Sequence, residues 1–310
     1  MVLDIGSAFI TAVYRGVLFR ERTLAIVRRN PTLLVAFGRE AEIRSNRLER
    51  GTFLVRPVSE GVIRDAQVLE LVIQAVVKKV TGGERVASLP AKILVHSSIA
   101  PADKNAYLTL AKLAGLRQAE VVEAMQVVAK MAQADDPEGS VLAVNMGAGL
   151  TEIALLAGGK VHASCALNLG GNAVDAGLAE IIATNYNLRI SSEVAERFKK
   201  SAGSLYAGDN ASAEVVGIDI LDGTVKGARI VSADVDRVVR DAFGRIVAQI
   251  AHFIEDIQSE EVAFPKKILL FGGLTRLTGV ASFFAENTRI PTEIPRNPEA
   301  VVALYATKGR

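Results

Sequence analysis

At 310 residues the chain has room for two domains of ordinary size, and with 50% of its residues hydrophobic each can enclose a core. A formal net charge of +2 with no long basic block excludes a nucleic-acid tail, and the lack of Trp argues against a base-stacking platform. The single cysteine, Cys165, excludes an internal disulfide, points to a reducing compartment and reads as buried strand filler. His96, His162 and His252 lie far apart, without metal-ligand spacing. No charge-free stretch approaches the roughly 20 residues of a membrane span, and no secretory leader is apparent.

Residues 2–14, apolar and β-branched, are broken by Gly6-Ser7 and predict a strand, a tight turn and a second strand. Short strands follow at 24–27 and 33–37. The highly charged stretch 39–50 predicts a surface helix or loop, and 57–64 a turn. From Asp65, the apolar residues Val68, Leu71, Val72, Ala75 and Val76 recur at helical spacing until Thr81-Gly82-Gly83 stops the helix. A strand is expected at 93–95, and helices at 103–113 and 118–131.

A second half opens at Gly139. Strands are predicted at 141–144, 151–156 and 161–167, with Gly147-Ala148-Gly149 and Gly158-Gly159 between them. Helices at 173–184 and 192–201 precede a hairpin, 213–220 with 226–231, turning at Asp222-Gly223. A long helix over 233–258 leads to a strand at 267–271, which runs into Gly272-Gly273, and a short helix is expected at 300–306.

One pattern occurs twice. Leu3-Asp4-Ile5-Gly6-Ser7-Ala8 is echoed by Val144-Asn145-Met146-Gly147-Ala148-Gly149, nearly half the chain later. Two matching half-molecules are the economical reading. A strand-turn-strand of Gly and small residues lets backbone N–H groups approach an anion. An acid at the strand end can hold a hydrated divalent cation against phosphates. Asp4, Gly6 and Ser7 would make one such clamp, and Gly147, Ala148, Gly149 and Thr151 a second. Taken singly, each is equally a plain β-turn. Ile268-Leu269-Leu270-Phe271-Gly272-Gly273 adds a third element, a buried strand ending in paired glycines.

Two such hairpins followed by a late strand ending in Gly-Gly resemble the actin and sugar-kinase type of ATPase. Within that group the chain most resembles MreB, along nearly its whole length. The resemblance is carried by Arg56-Pro57-Val58-Ser59-Glu60-Gly61-Val62-Ile63-Arg64-Asp65 and by Gly170-Gly171-Asn172 through Asp175. Further matches are Asn187-Leu188, Ala195-Glu196-Arg197-Phe198-Lys199, Gly203-Ser204, and Pro291 through Pro298-Glu299-Ala300-Val301-Val302.

The resemblance implies an α/β, actin-like fold: two duplicated RNase H-like halves, each with a small inserted subdomain, and a nucleotide cleft between them. Its four parts would be 1–28 with 80–138, 29–79, 139–171 with 235–310, and 172–234. It implies ATP and Mg2+ as cofactors. Asp4 would lie near the metal in the first phosphate loop with Gly6 and Ser7, and Gly147, Ala148, Gly149 and Thr151 would form the second loop. Gly171 belongs to the same expected nucleotide site. Glu123 would position the attacking water, Glu196 and Lys199 would lie near the ribose, and Gly272 and Gly273 near the adenine and α-phosphate.

The chain departs from the family pattern at several of these places. Asn145 stands where the family has Asp, which removes a charge from the metal side of the second loop. Leu150 replaces Thr, Ala124 replaces Pro after Glu123, and Phe9 and Ile10 stand where polar residues are common. Phe271-Gly272-Gly273-Leu274 replaces Thr-Gly-Gly-Gly. If the protein is an ATP hydrolase, Asn145, Leu150 and Leu274 predict weakened turnover.

The function implied is a filament-forming cytoskeletal protein of cell shape or internal organisation. Its subunits would stack head to tail, with cell-shape or membrane-associated proteins as further partners, and with no nucleic acid and no transmembrane segment. A cytoplasmic location is implied, the inner face of the membrane being a candidate site. The competing reading is a non-polymerising actin-fold adaptor or pseudo-ATPase that binds a protein partner. A sugar- or acetate-kinase relative has the least support, because no separate substrate-binding insertion is evident.

Overall fold

Runs of β-branched residues punctuated by glycine alternate with amphipathic helices, and the chain folds as a mixed α/β protein. The computed structural model describes residues 1–45, 47–84, 86–206, 212–257 and 263–308. The chain divides into two units. The first comprises Met1–Glu138, Leu156–Ser164 and Glu299–Arg310, the second Gly139–Leu155 and Cys165–Pro298.

The first unit opens with β1 (Val2–Ile5), β2 (Phe9–Tyr14) and β3 (Val17–Arg22), followed by β4 (Ala25–Arg28), β5 (Leu33–Phe37), α1 (Arg39–Arg44), β6 (Thr52–Val55), β7 (Val58–Ser59) and β8 (Val62–Ile63). Then come α2 (Ala66–Thr81), β9 (Pro90–Val95), α3 (Pro101–Leu113), β10 (Gln118–Glu123) and α4 (Ala124–Asp135). Its main sheet has the order β10-β9-β1-β2-β3, and a small sheet has the order β5-β4-β6. β1, β2 and β3 are antiparallel neighbours, while β9 and β10 run parallel.

Helix α2 follows from its sequence. The Asp65 carboxylate accepts the Val68 N–H at 3.0 Å, capping the start, and Gly82 ends the helix in the left-handed region at φ 64°. Its buried face of Val68, Leu69, Val72, Ile73, Val76 and Val77 joins Leu3, Ile5, Ile10 and Ile93 of the sheet in one core. Each such side chain contributes about 1.5–3 kcal/mol on burial.

Next along the chain, β11 (Ser140–Met146), β12 (Thr151–Ala157), β13 (Lys160–Leu167) and α5 (Gly171–Tyr186) are followed by β14 (Leu188–Arg189), α6 (Ser192–Ala202), β15 (Ser212–Asp219), β16 (Val225–Val231) and α7 (Ser232–Ile257); all lie in the second unit except Leu156–Ser164, which is grouped with the first. β17 (Lys267–Phe271) runs into a 3-10 turn (Gly273–Arg276), then α8 (Val280–Thr288) and β18 (Thr292–Glu293). The main sheet has the order β13-β12-β11-β17-β18, and a small sheet the order β14-β15-β16. Phe243, Phe283 and Phe284 meet edge to face where α7 packs on α8. The last helix, α9 (Val301–Ala306), belongs to the first unit and packs on α4, β1 and β2.

Two expectations need correction, and one strand was not expected. The helix expected over 118–131 is a strand followed by a helix: Gln118–Glu123 pairs with Pro90–Val95 in parallel, and α4 starts only at Ala124. Val121, Val122 and Met125 fit a helical period, but pairing with the free edge of β9 decides the conformation. Val17–Arg22 is a full strand that no apolar alternation announced. Cys165 is half-buried on β13, and burial pushes its thiol up. The long helix ends at Ile257 as described, and its expected last residue, Gln258, lies outside the described residues, as does Asn46 of the charged stretch.

Candidate functional site

In the first unit the candidate residues gather at the β1–β2 turn. The Gly6 N–H donates to the Phe9 carbonyl at 2.9 Å. A Cβ on Gly6 would stand 3.0 Å from that carbonyl, so the tight turn favours glycine. Two hydroxyl residues strap the turn. Thr23, fully buried, donates its hydroxyl to the Gly6 carbonyl at 2.7 Å and its N–H to the Ala8 carbonyl at 2.9 Å. The Ser7 hydroxyl accepts the Gly61 N–H at 3.4 Å, and the Tyr107 hydroxyl donates to the Gly61 carbonyl at 3.2 Å.

Asp4, opposite Thr11 and one pair before the turn-facing end of β1, is half-buried. Burial pushes its carboxyl up to about 6, and the Arg20 charge opposes the rise. Glu123 ends β10 and immediately precedes α4. Its carboxylate is ion-paired with Lys104 of α3 and lies 3.5 Å from the Gln126 amide. His96 stands nearby: burial lowers its pKa, the charges of Asp103 and Glu123 oppose this, and its Nδ1 has no hydrogen-bond partner among the described residues.

In the second unit the β11–β12 turn has the same hydrogen bond, Gly147 N–H to the Leu150 carbonyl at 3.0 Å. A Cβ on Gly147 would lie 3.1 Å from that oxygen. Here the backbone of α5 supplies the straps. Gly171 N–H donates to the Gly147 carbonyl at 3.0 Å, and Asn172 N–H to the Ala148 carbonyl at 2.8 Å. The Thr151 hydroxyl, fully buried, donates to the Leu169 carbonyl at 2.6 Å. Asn145 lies opposite Phe271 in the β11–β17 register, and Gly272, at φ 94°, presses on the end of β11. A Cβ on Gly272 would stand 2.4 Å from the Met146 carbonyl and 2.7 Å from Asn145 Oδ1. Gly273 fronts open space.

Asn145, Gly147, Ala148, Gly171 and Gly272 are therefore assembled within the second unit, as Asp4, Gly6 and Ser7 are within the first. Gly149 belongs to the same turn, between Gly147 and Leu150. Lys199, expected near the ribose, is held between α6 and α5. Its ammonium is buried, 2.8 Å from Asp175 Oδ1 and 2.8 Å from the Gly171 carbonyl, so it rivets α6 to α5. Burial raises Asp175, and Lys199 opposes that rise. Glu196, one turn earlier on α6, is paired with Lys200 at 2.6 Å. Leu274 is buried with a methyl 3.7 Å from where a Gly171 Cβ would be, and Phe271 is wholly interior.

Sequence reasoning missed Arg20, Thr23 and Lys104, none of which has a motif spacing, and it met Asp175 only as the end of a family-like segment, with no role given. Each acquires its place through strand register or helix packing.

The repeated glycine turn occurs in chains of many functions, and the family is decided by the whole sequence. The family model described as MreB/Mbl protein matches residues 1–309. The chain belongs to the MreB/Mbl family. Relatives within it include the cell shape-determining protein MreB of Haemophilus influenzae, 26% identical over 97% of this chain and 90% of that protein. The cell shape-determining protein Mbl of Bacillus cereus is 24% identical over 97% of this chain and 92% of its own length. Among solved structures, MreB 5 of Spiroplasma citri bound to AMPPNP aligns with TM-score 0.87 and 23% identity, covering 99% of this chain and 94% of that one. A MamK double helical filament aligns with TM-score 0.80 and 20% identity over 99% and 98%. The fold is actin-like. The chain carries two glycine turns of the same hydrogen-bonded form, with a neutral Asn145 ahead of the second. Among the described residues no helix is long and apolar enough to cross a membrane, and no group of three or more His, Cys, Asp or Glu is assembled to hold a metal.

Proposed function

We propose that this protein is a cytoskeletal protomer that binds ATP, self-associates head to tail into filaments and turns ATP over weakly, working in the cytoplasm in cell shape or internal organisation. The observation that carries the reading is the twice-built turn. Gly6 N–H to the Phe9 carbonyl at 2.9 Å and Gly147 N–H to the Leu150 carbonyl at 3.0 Å are the same device in two halves of a chain that matches one family throughout. Backbone turns of this kind suit phosphate oxygens. The nucleotide carried by a structure of the same fold, and the filament formed by another, favour the same ligand and the same assembly. The small three-stranded sheet in each unit is consistent with one inserted subdomain per half.

Magnesium, where bound, would be held by Asp4 together with nucleotide oxygens and water, and would neutralise phosphate charge. One carboxylate, with no cluster of three or more His, Cys, Asp or Glu among the described residues, fits a metal that relies on the nucleotide for its other ligands. Weak turnover is supported by Glu123 being paired with Lys104, and by the neutral Asn145. Head-to-tail stacking is a heterologous contact that does not close, so filaments are the expected product.

Electron microscopy and pelleting of the purified protein, with and without ATP and Mg2+, test this. Filaments that depend on nucleotide are expected. Protein that stays monomeric at high concentration in every condition would instead support a non-polymerising adaptor. The buried Lys199 and the Leu274 packed on Gly171 favour that second reading.

A further inference from the structure

The registers of β1, β2 and β3 set Asp4 opposite Thr11 and Thr11 opposite Arg20, a cross-strand row on one face of the sheet. One step nearer the turn, the next pair on that face is Phe9 and Arg22. Arg20 leans along the strands, bringing its guanidinium carbon 3.8 Å from the centre of the Phe9 ring. Arg22 stands 4.7 Å from the same ring and is paired with Glu42 at 2.7 Å.

The platform under Arg20 is part of the turn itself. Phe9 is the residue whose carbonyl accepts the Gly6 N–H. Just past β3, Thr23 is bonded to both the Ala8 and Gly6 carbonyls. The Arg20 side chain is exposed, and its charge acts on Asp4. A stacked arginine, a carboxylate and the backbone of a glycine turn thus meet at one strand end.

We propose that Arg20, stacked on Phe9, is a phosphate-binding residue of the first turn, which lets a nucleotide's polyphosphate bind there without a divalent cation. The inference rests on the ATP reading above and adds to it the group that meets the phosphates. A guanidinium presents a planar fork of N–H donors that matches phosphate oxygens. Stacking on an aromatic face restricts its rotamers before the ligand arrives, which lowers the entropic cost of binding. A metal held by Asp4 alone leans on the phosphates for its remaining ligands. An arginine fixed to the turn does not.

The test is calorimetric titration of full-length protein with AMPPNP and with AMP, in EDTA and with Mg2+. Wild type, Arg20→Gln and Phe9→Leu are compared, with thermal unfolding as the control for folding. Wild type is expected to bind AMPPNP in EDTA, and Arg20→Gln to bind it about tenfold more weakly, the weight of a charge-assisted hydrogen bond. Phe9→Leu should lose less, because the arginine remains but its platform is gone. AMP, with one phosphate, should bind wild type and Arg20→Gln alike. Equal AMPPNP affinity of wild type and Arg20→Gln in EDTA overturns the inference, as does wild-type binding seen only with Mg2+. If wild type binds AMPPNP in neither condition, the ATP reading itself fails, and this inference with it.

Discussion

The two glycine turns share a hydrogen bond and differ in everything around it. The first is strapped by hydroxyls, Thr23 to Gly6 and Ser7 to Gly61, and has the charged groups Asp4 and Arg20 beside it. The second is strapped by backbone, Gly171 to Gly147 and Asn172 to Ala148, and the residue matching Asp4 is the neutral Asn145. The Lys199–Asp175 ion pair near the second turn is buried as a structural rivet. Side chains can be exchanged at little steric cost, whereas a backbone cradle tolerates no added atom where a glycine presses on a carbonyl, as Gly272 does on Met146. The first unit is therefore where chemistry can vary, and the second where shape is fixed.

The largest expected effect tests the rivet. Lys199→Met leaves Asp175 buried and unpaired, which should cost about 3–5 kcal/mol in denaturant unfolding. The loss should grow as pH rises. The folded-state pKa of Asp175 is already raised by burial and goes higher without its lysine, so its contribution to stability is present in acid and lost as the carboxylate ionises. A variant of wild-type stability that has lost nucleotide affinity would mean that Lys199 serves a ligand instead. Next in size is Gly272→Ala. The new Cβ would meet the Met146 carbonyl at 2.4 Å in a left-handed backbone, and about 3 kcal/mol of destabilisation is expected. Its neighbour provides the control: Gly273→Ala meets open space and should change stability by less than about 1 kcal/mol. Similar losses at both positions would remove the claim that the second cradle is set by backbone contact.

These contrasts also mark how far the sequence could be read. The glycine turns were legible because only small residues permit such a bend, and α2 was legible because Asp65 and Gly82 bracket a regular apolar stripe. Residues 118–123 were not, since Val121 and Val122 suit a helix as well as a strand until β9 offers an edge. Arg20 became visible only through a strand whose sequence, Val-Leu-Phe-Arg-Glu-Arg, has no alternation to betray it. Lys104 and Asp175 meet Glu123 and Lys199 across helices, and such pairings are properties of packing, not of spacing.

The third prediction concerns the first turn. Asp4 has a carboxyl pushed up to about 6 from an ordinary 3.8. A raised acid contributes stability that is fully present below its unfolded value and is lost as pH rises through its folded value. Holding the carboxylate at neutral pH therefore costs the fold, and Asp4→Asn should be more stable than wild type by about 3 kcal/mol at pH 8 and nearly equal to it at pH 4. Chemical unfolding across that range measures the difference. A flat difference would mean that Asp4 is well solvated, and the contrast between a charged first turn and a neutral second would lose its energetic content.

The smallest effect probes whether the first unit restrains its own candidate acid. Lys104 and Glu123 are partly exposed, at 34% and 22% of their side chains, so their pairing is worth only about 1 kcal/mol. Lys104 occupies one oxygen of Glu123 and draws the carboxylate toward α3, in competition with a water it would orient. Lys104→Met should therefore release the carboxylate and raise phosphate release from ATP by roughly fivefold, the rate equivalent of that energy. AMPPNP affinity should stay unchanged, because the substitution touches the acid and not the phosphate turn. A fall in rate at constant affinity would reverse the role of Lys104, making it the group that aims Glu123. In that case the neutral Asn145, in the other unit, becomes the stronger explanation of weak turnover, and Asn145→Asp is the variant that should raise the rate.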